Sequence, residues 1–341
     1  MRRPLVRRLT ALFAAALLLP AVAACGVDED DAGLVIYSGR NEKLVKPLLD
    51  ELEKAVGTTV AVRYGESAEL AAQIQEEEEG GKTKAGLFFS QDAGALGALS
   101  TKGLLEKLPQ TSLDKVDPGF RGGSGDWVGT SGRVRVLAYN PGQVSKVPDT
   151  VHDLVKPEWK GKVGYVPTNA SFQAFVTGMR VLEGDDATRT WLKGLKANEP
   201  KVYDNNLKVL EAVGKGEVSL GLVNHYYWYE QVAEKGESKV KAKIHFLPAG
   251  DPGGLVNTAG VGIVKGTDQA PVAQKAVDFL LSEKAQKYFA EDTKEYPLAS
   301  GVTSTVKGLP PLASLDAPKI DLGKLESLQE TLKMLQEAGM V

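Results

Sequence analysis

Six consecutive residues, Asn224-His225-Tyr226-Tyr227-Trp228-Tyr229, form the densest aromatic run of the chain and follow the apolar stretch Ser219–Val223. A buried strand that meets a polar residue and opens a helix leaves unpaired N–H groups and a partial positive charge at the helix start, which favour anions. Two adjacent tyrosines there diverge by about 100° around the helix axis, so both can reach one point in a cleft. A free phenol titrates near pH ~10, so it ligates at neutral pH only beside a strongly polarising hard cation such as Fe³⁺. An aromatic core or stacking patch is the commoner use of such a run.

The one cysteine of the chain is also informative. It closes the segment Val22-Ala23-Ala24-Cys25, after an apolar run, Leu9–Ala24, and the arginines Arg2, Arg3, Arg7 and Arg8. The run is too short to span a bilayer comfortably and ends in small residues, the pattern of a cleaved export signal over residues 1–24. Small residues before a lone Cys resemble the lipobox of bacterial lipoproteins, which implies acylation of Cys25 and a stable membrane anchor. A free Cys after an ordinary cleavage site is the alternative, but the chain offers it no partner. The arginine pairs leave both the general and the twin-arginine export routes open. Residues 25–33, acidic and poor in apolar side chains, are expected to be a flexible tether.

Removing residues 1–24 takes away four of the 41 basic residues and no acidic one, leaving 37 against 44 and a formal net charge of −7. A mildly acidic surface argues against a nucleic-acid partner. Only His152, His225 and His245 are present, few for a histidine-rich metal site. The chain holds no G-x-S-x-G elbow, no H-E-x-x-H and no thiol beyond Cys25, which lowers the case for an exported enzyme.

The elements that must position the aromatic run follow from periodicity. Leu34–Tyr37 reads as a buried strand, 42–56 as an amphipathic helix stopped by Gly57, 58–64 as a strand, 68–79 as a helix and 86–90 as a strand before a glycine-rich segment. Val134–Tyr139 is strand-like and is broken by Pro141 and Gly142. A second α/β set follows: a strand at 163–166, helices at 172–182, 191–196 and 206–213, a strand at 219–223 and a helix at 225–235. Strands at 244–246 and 260–264, helices at 270–282 and 283–291, and a C-terminal helix at 325–338 complete it. Two successive sets of strands and helices predict two α/β lobes with mixed sheets.

Several segments resemble, in order, the ferric-iron-binding proteins of bacterial ABC importers: Tyr37-Ser38-Gly39-Arg40, Trp159–Val166, Trp191–Leu195, Asn224–Tyr229, Asp251-Pro252-Gly253 and Glu295–Leu298. The paired tyrosines after Asn224 are the most specific of these. The resemblance implies a two-lobed periplasmic-binding-protein fold of type II, α/β, with the ligand cleft between lobes. The expected boundaries are 34–133 with 256–307 for one lobe, and 134–255 with 308–341 for the other. It implies Fe³⁺ ligation by Tyr226 and Tyr227, and an anion pocket of Asn169, Ala170, Ser171, Asn206 and Asn224. Phosphate, carbonate or citrate would be the synergistic anion. Taken singly, each of these asparagines is more commonly a turn or cap residue.

The chain also departs from the family pattern. Asn41 stands where relatives have a His and Gln91 where they have a Glu, both poorer iron ligands. Glu42 is a substitute carboxylate or a solvated acid in a first helical turn. Arg133 and Arg135 lie near the interlobe strand, where they can hold an anion or form structural ion pairs.

The expected function is a monomeric lipoprotein on the outer face of the cytoplasmic membrane that delivers Fe³⁺ to an importer's permease and ATPase. A receptor for an iron chelate or another small anion is the alternative, with an exported enzyme behind it.

Overall fold

A computed structural model describes residues 28–81 and 83–341; the export signal and Cys25 lie outside the described residues. Strands and helices alternate from the start: β1 (Leu34–Ser38), α1 (Glu42–Val56), β2 (Val60–Tyr64), α2 (Ser67–Glu79), β3 (Leu87–Ser90), α3 (Ala93–Thr101), a short α4 (Gln110–Leu113) and the long β4 (Val128–Tyr139). A second set follows: β5 (Val163–Tyr165), α5 (Ala170–Glu183), α6 (Asp185–Ala197), β6 (Lys201–Val202), α7 (Asn206–Lys215), β7 (Leu220–Asn224), α8 (His225–Lys235) and β8 (Lys243–His245). The chain returns through β9 (Val256–Ile263), α9 (Ala270–Leu280), α10 (Glu283–Glu291) and β10 (Tyr296–Pro297), and ends in α11 (Leu328–Glu337).

The strands run in the order β2-β1-β3-β9-β4-β7-β5-β6, with β10 and β8 also paired to β4. β1 is parallel to β2 and β3, β9 is antiparallel to β3 and β4, and β7 is antiparallel to β4 but parallel to β5. The expected mixed sheets flanked by helices are therefore present. β4 joins the two halves. Its residues 128–134 pair with β9, and its residues 135–139 pair with β7.

Apolar packing divides along the same line. One pair of cores gathers Leu34, Ile36, Leu48, Leu52, Phe89, Val277 and Phe289, and, on the other face of the sheet, Val35, Tyr37, Ile74, Phe88 and Leu96. The other pair gathers Phe172, Phe175, Trp191, Leu192 and Leu222, and Val136, Val209, Val213, Trp228 and Tyr229. The stripe of α1 illustrates the driving force: Val45, Leu48, Leu49 and Leu52 are at most 3% exposed, and each such burial contributes roughly 1.5–3 kcal/mol. The helix then stops at Gly57, whose left-handed φ of 74° closes its C-terminus.

Two expectations are corrected. The acidic tether was expected to be flexible as far as Gly33, yet Glu29–Asp31 form a turn of 3-10 helix. Arg63 donates to Glu29 and Lys84 to Asp30, so the acidic side chains are held by cations of the first lobe. The C-terminal segment, expected wholly in the second lobe, packs on both. Leu322 and Leu325 sit in the first lobe's core, whereas Met334 and Leu335 sit in the second's. A Cβ on Gly94 would lie 2.6 Å from the Leu325 carbonyl oxygen, and one on Gly97 2.5 Å from that of Gly323. The glycines of α3 thus admit the backbone of a strap that runs from lobe to lobe.

Candidate metal centre at the lobe crossover

β7 is buried throughout, and its last residue, Asn224, turns the chain from extended geometry into α8. This places the aromatic run at the end of the sheet, beside the point where β4 changes partners. Three of its polar tips are already engaged. The Trp228 indole donates to the Ala242 carbonyl and the Tyr229 hydroxyl to the Gly308 carbonyl, each at 2.8 Å. His225 uses both ring nitrogens, towards the Val134 N–H and the Lys294 carbonyl. The Tyr226 and Tyr227 hydroxyls bond to nothing but each other among the described residues. Their rings lie 4.2 Å apart at 34°, closer to stacked than divergent.

Burial, reinforced by the neighbouring Tyr227, pushes Tyr226 well above the usual phenol range, against the opposing pull of Arg133. In this geometry the Tyr226 phenol is protonated, and any cation it ligates must displace the proton. The physical reason is desolvation: Tyr226 is 4% exposed, and removing water penalises the phenolate more than one helix terminus favours it.

Three of the five residues expected to hold an anion form one hydrogen-bonded chain. Asn169 caps α5 by accepting from the Ser171 N–H at 3.1 Å, the Ser171 hydroxyl accepts from the Asn224 amide at 3.1 Å, and the Asn224 carbonyl accepts from Arg135 at 3.3 Å. Ala170 lines a cavity of about 500 Å³ between the lobes, facing Ser67 and Asp92 of the first lobe and Leu325 of the strap. Asn206 is 2% exposed with both side-chain polar atoms unpartnered. An orphaned buried amide of that kind costs stability unless a ligand or water meets it.

Buried charged side chains make up the rest. Glu295 is fully buried and accepts from Arg40, Arg133, Ser131 and Thr293. Burial alone would raise its pKa, but Arg40 and then Arg133 hold it down to about 2. Nε and Nη2 of Arg133 and of Arg135 are buried without partners. Burial pulls both guanidinium groups below their usual pKa, and Arg135 feels an opposing pull from Tyr227 and Tyr226. Asp92 caps α3 and is 8% exposed. Arg133 and Arg135 were singled out in the sequence, and Arg133 takes the structural ion pair with Glu295. Arg40 and Glu295 appeared there only as parts of the motifs Ser38-Gly39-Arg40 and Glu295-Tyr296, and Asp92 carried no signal.

The three weaker candidates lie at the start of α1 and just after the end of β3. Asn41 and Glu42 are exposed at the start of α1, and Gln91 is half-buried with its backbone N–H on the Ser67 hydroxyl. No hydrogen bond joins any of the three to Tyr226 or Tyr227. Among the described residues, no cluster of three His, Cys, Asp or Glu side chains is placed to hold a metal.

Residues 82–321 match the family model of the bacterial extracellular solute-binding proteins. The chain belongs to this family. Among the solute-binding proteins it is 33% identical to the Fe(3+)-binding periplasmic protein of Serratia marcescens, over 91% of each chain. It is also 33% identical to the major ferric iron-binding protein of Neisseria meningitidis, over 91% of this chain and 93% of that one. Iron-bound HitA of Pseudomonas aeruginosa superposes with a TM-score of 0.83 at 35% identity, over 90% of this chain and 99% of that one. Trichodesmium FutA, in complex with iron and citrate, gives 0.76 at 25% identity over 90% and 99%. These relatives make this a two-lobed solute-binding protein of a transport family, not an enzyme. The resemblance first read from the aromatic run and the tryptophan motifs is thereby established.

Proposed function

We propose that this protein is an extracytoplasmic solute-binding lipoprotein that captures Fe³⁺ with a synergistic anion and delivers it to the permease and ATPase of an ABC importer. The observation that carries the reading is the selective use of the aromatic run. His225, Trp228 and Tyr229 are spent on backbone groups, while Tyr226 and Tyr227 keep their hydroxyls for a ligand. Paired phenols suit a hard trivalent cation. The chain Asn169–Ser171–Asn224–Arg135, with the orphaned Asn206, suits an anion beside it. The ferric proteins of Serratia and Neisseria supply the cargo by analogy.

The anion carries more of the coordination here than in relatives with His and Glu ligands. Asn41 and Gln91 are neutral amides, and Asn41 and Glu42 are exposed, so phosphate, carbonate or citrate would have to supply the remaining donors. This favours, as a second reading, capture of an iron chelate rather than bare iron, in keeping with the citrate bound to FutA. In both readings the lobe boundaries are those expected from sequence, with the strap around Leu322–Glu326 reassigned to the first lobe. The molecule acts as a monomer, held to the outer face of the membrane through acylated Cys25.

The test is a titration with ferric citrate and with ferric chloride plus phosphate, read by the visible phenolate-to-iron band and by metal analysis. Colourless protein that retains no iron in both arms refutes the reading. Cys25→Ala tests the anchor: release from the membrane or failure of processing supports it, and unchanged processing and attachment refute it.

A further inference from the structure

His225 is 0% exposed and lies in the hinge. Along one edge of β4, β10 pairs with Ser131 and Gly132, and β7 takes over from Arg135 onward. Arg133 and Val134 have no strand partner on that edge, and His225 and Lys294 flank the gap, the first just after β7 and the second just before β10. The imidazole fills it. The Val134 N–H donates to Nδ1 at 3.2 Å, and Nε2 meets the Lys294 carbonyl at 3.1 Å. Because an N–H can only donate and a carbonyl only accept, the ring is the neutral tautomer with its proton on Nε2. It accepts and donates as a peptide unit of a strand would, so that neither the Val134 N–H nor the Lys294 carbonyl is left orphaned.

The same ring touches the ligand helix. It stacks on Tyr296 of β10 at 4.9 Å and meets Tyr226, its neighbour in the chain, edge-on at 6.0 Å. Lys294 holds a left-handed φ of 57°, a strained conformation for a residue with a side chain. A side chain standing in for a strand can rotate as the lobes move, which a continuous backbone ladder cannot do without shearing every bond.

We propose that His225 is a positioning residue: its imidazole takes the place of a peptide unit between β10 and β7 and so couples the lobe crossover to the placement of Tyr226. The part that concerns iron rests on the function proposed above, whereas the hinge part does not.

The full chain is compared with His225→Phe, which keeps a stacking ring but loses both hydrogen bonds, and with His225→Gln, whose amide can accept from Val134 and donate to Lys294. Hydrogen exchange at the Val134 amide is followed in iron-free protein, and ferric citrate is titrated while the visible band is recorded. In the Phe variant, Val134 exchanges about tenfold faster and iron binds about tenfold more weakly, as expected for losing hydrogen bonds of ordinary strength. The band maximum also shifts, because Tyr226 meets the metal at a different angle. The Gln variant restores protection and affinity to within about threefold. Wild-type protection with an unshifted band in the Phe variant overturns the proposal, and so does a Gln variant no better than Phe. If the Phe variant does not fold, His225→Asn replaces it, being too short to reach both partners at once. If the wild-type protein takes up no iron, the proposed function fails, and exchange at Val134 in iron-free protein decides the hinge role alone.

Discussion

Arg40 and Glu295 form a two-point ion pair, with guanidinium nitrogens 3.1 and 2.6 Å from the carboxylate oxygens and side chains 1% and 2% exposed. The partners lie 255 residues apart in sequence. Arg40 precedes Asn41 and Glu42 at the start of α1, and Glu295 precedes β10, so the pair ties the start of α1 to the strand that pairs with β4. A buried pair of this kind adds little over an apolar replacement, but losing one partner leaves a charge without compensation. Glu295→Gln strands Arg40 and Arg133 together. The expected cost is about 3–5 kcal/mol, measured by urea unfolding at neutral pH.

The same carboxylate sets an acid limit. Its folded pKa, about 2, lies below its ordinary value of 4.5. The native state therefore binds its proton less readily than the unfolded state does. The stabilisation is fully present above pH ~4.5 and is lost as the pH falls through ~2. In that window the urea midpoint of the wild-type protein should fall more steeply than that of Glu295→Gln. Parallel profiles would place the acid sensitivity elsewhere.

Tyr226→Phe and Tyr227→Phe should each weaken iron binding strongly and diminish the visible band, and the double variant should abolish both. Since phenols must ionise to ligate, wild-type binding should release about two protons, detectable as a buffer-dependent binding enthalpy in calorimetry. Tyr229→Phe gives up only the bond to the Gly308 carbonyl. It should leave the band unchanged and cost about 0.5–1.5 kcal/mol of stability. A double Phe variant of unchanged colour would move the site away from this helix.

The strap offers a test in which two effects oppose each other. Gly97→Ala improves the intrinsic helix propensity of α3 by about 1 kcal/mol. It also drives a methyl group to 2.5 Å from the Gly323 carbonyl oxygen. Backbone at that distance cannot swing aside as a flexible side chain can, so the steric effect should win and the melting temperature should fall. A rise would mean that Leu322–Glu326 are not seated on α3.

Strong periodicity made most of the fold legible in the sequence: α1, α8 and α10 start and stop where their apolar stripes and flanking residues indicate. The first half of β4 was not legible. Val128–Arg133 reads VGTSGR, polar and glycine-rich, and it becomes a strand only because β9 pairs along it and buries it on both faces. Helix α3 was hidden in the same way, since Gly94 and Gly97 resemble loop residues until the strap that needs them is in view. At the site, the tyrosine pair stood out through the resemblance to the ferric-iron-binding proteins, since the residues alone read more commonly as an aromatic core. The Arg40–Glu295 pair was not, because nothing local to either residue indicates a partner so far along the chain. The depth of burial around Tyr226 was not legible either, because sequence reveals the helix start but not what packs over it.

The anion dependence should separate binding from support. Asn224 bridges Arg135 and Ser171, so Asn224→Ala removes a proposed anion donor and detaches the guanidinium from the turn. Added phosphate should then no longer tighten iron binding, and affinity in citrate should drop by about tenfold, roughly 1.4 kcal/mol. Ser171→Ala should act in the same direction but less, because the Ser171 N–H remains in place. Asn169→Ala acts through the helix: the lost cap of α5 should cost about 1 kcal/mol of stability and loosen the turn that presents Ala170 and Ser171. Anion titrations at fixed iron, run beside urea unfolding of each variant, distinguish the two effects. If all three variants lose stability equally and keep the wild-type response to phosphate, the chain from Asn169 to Arg135 is structural and the anion binds elsewhere in the cleft.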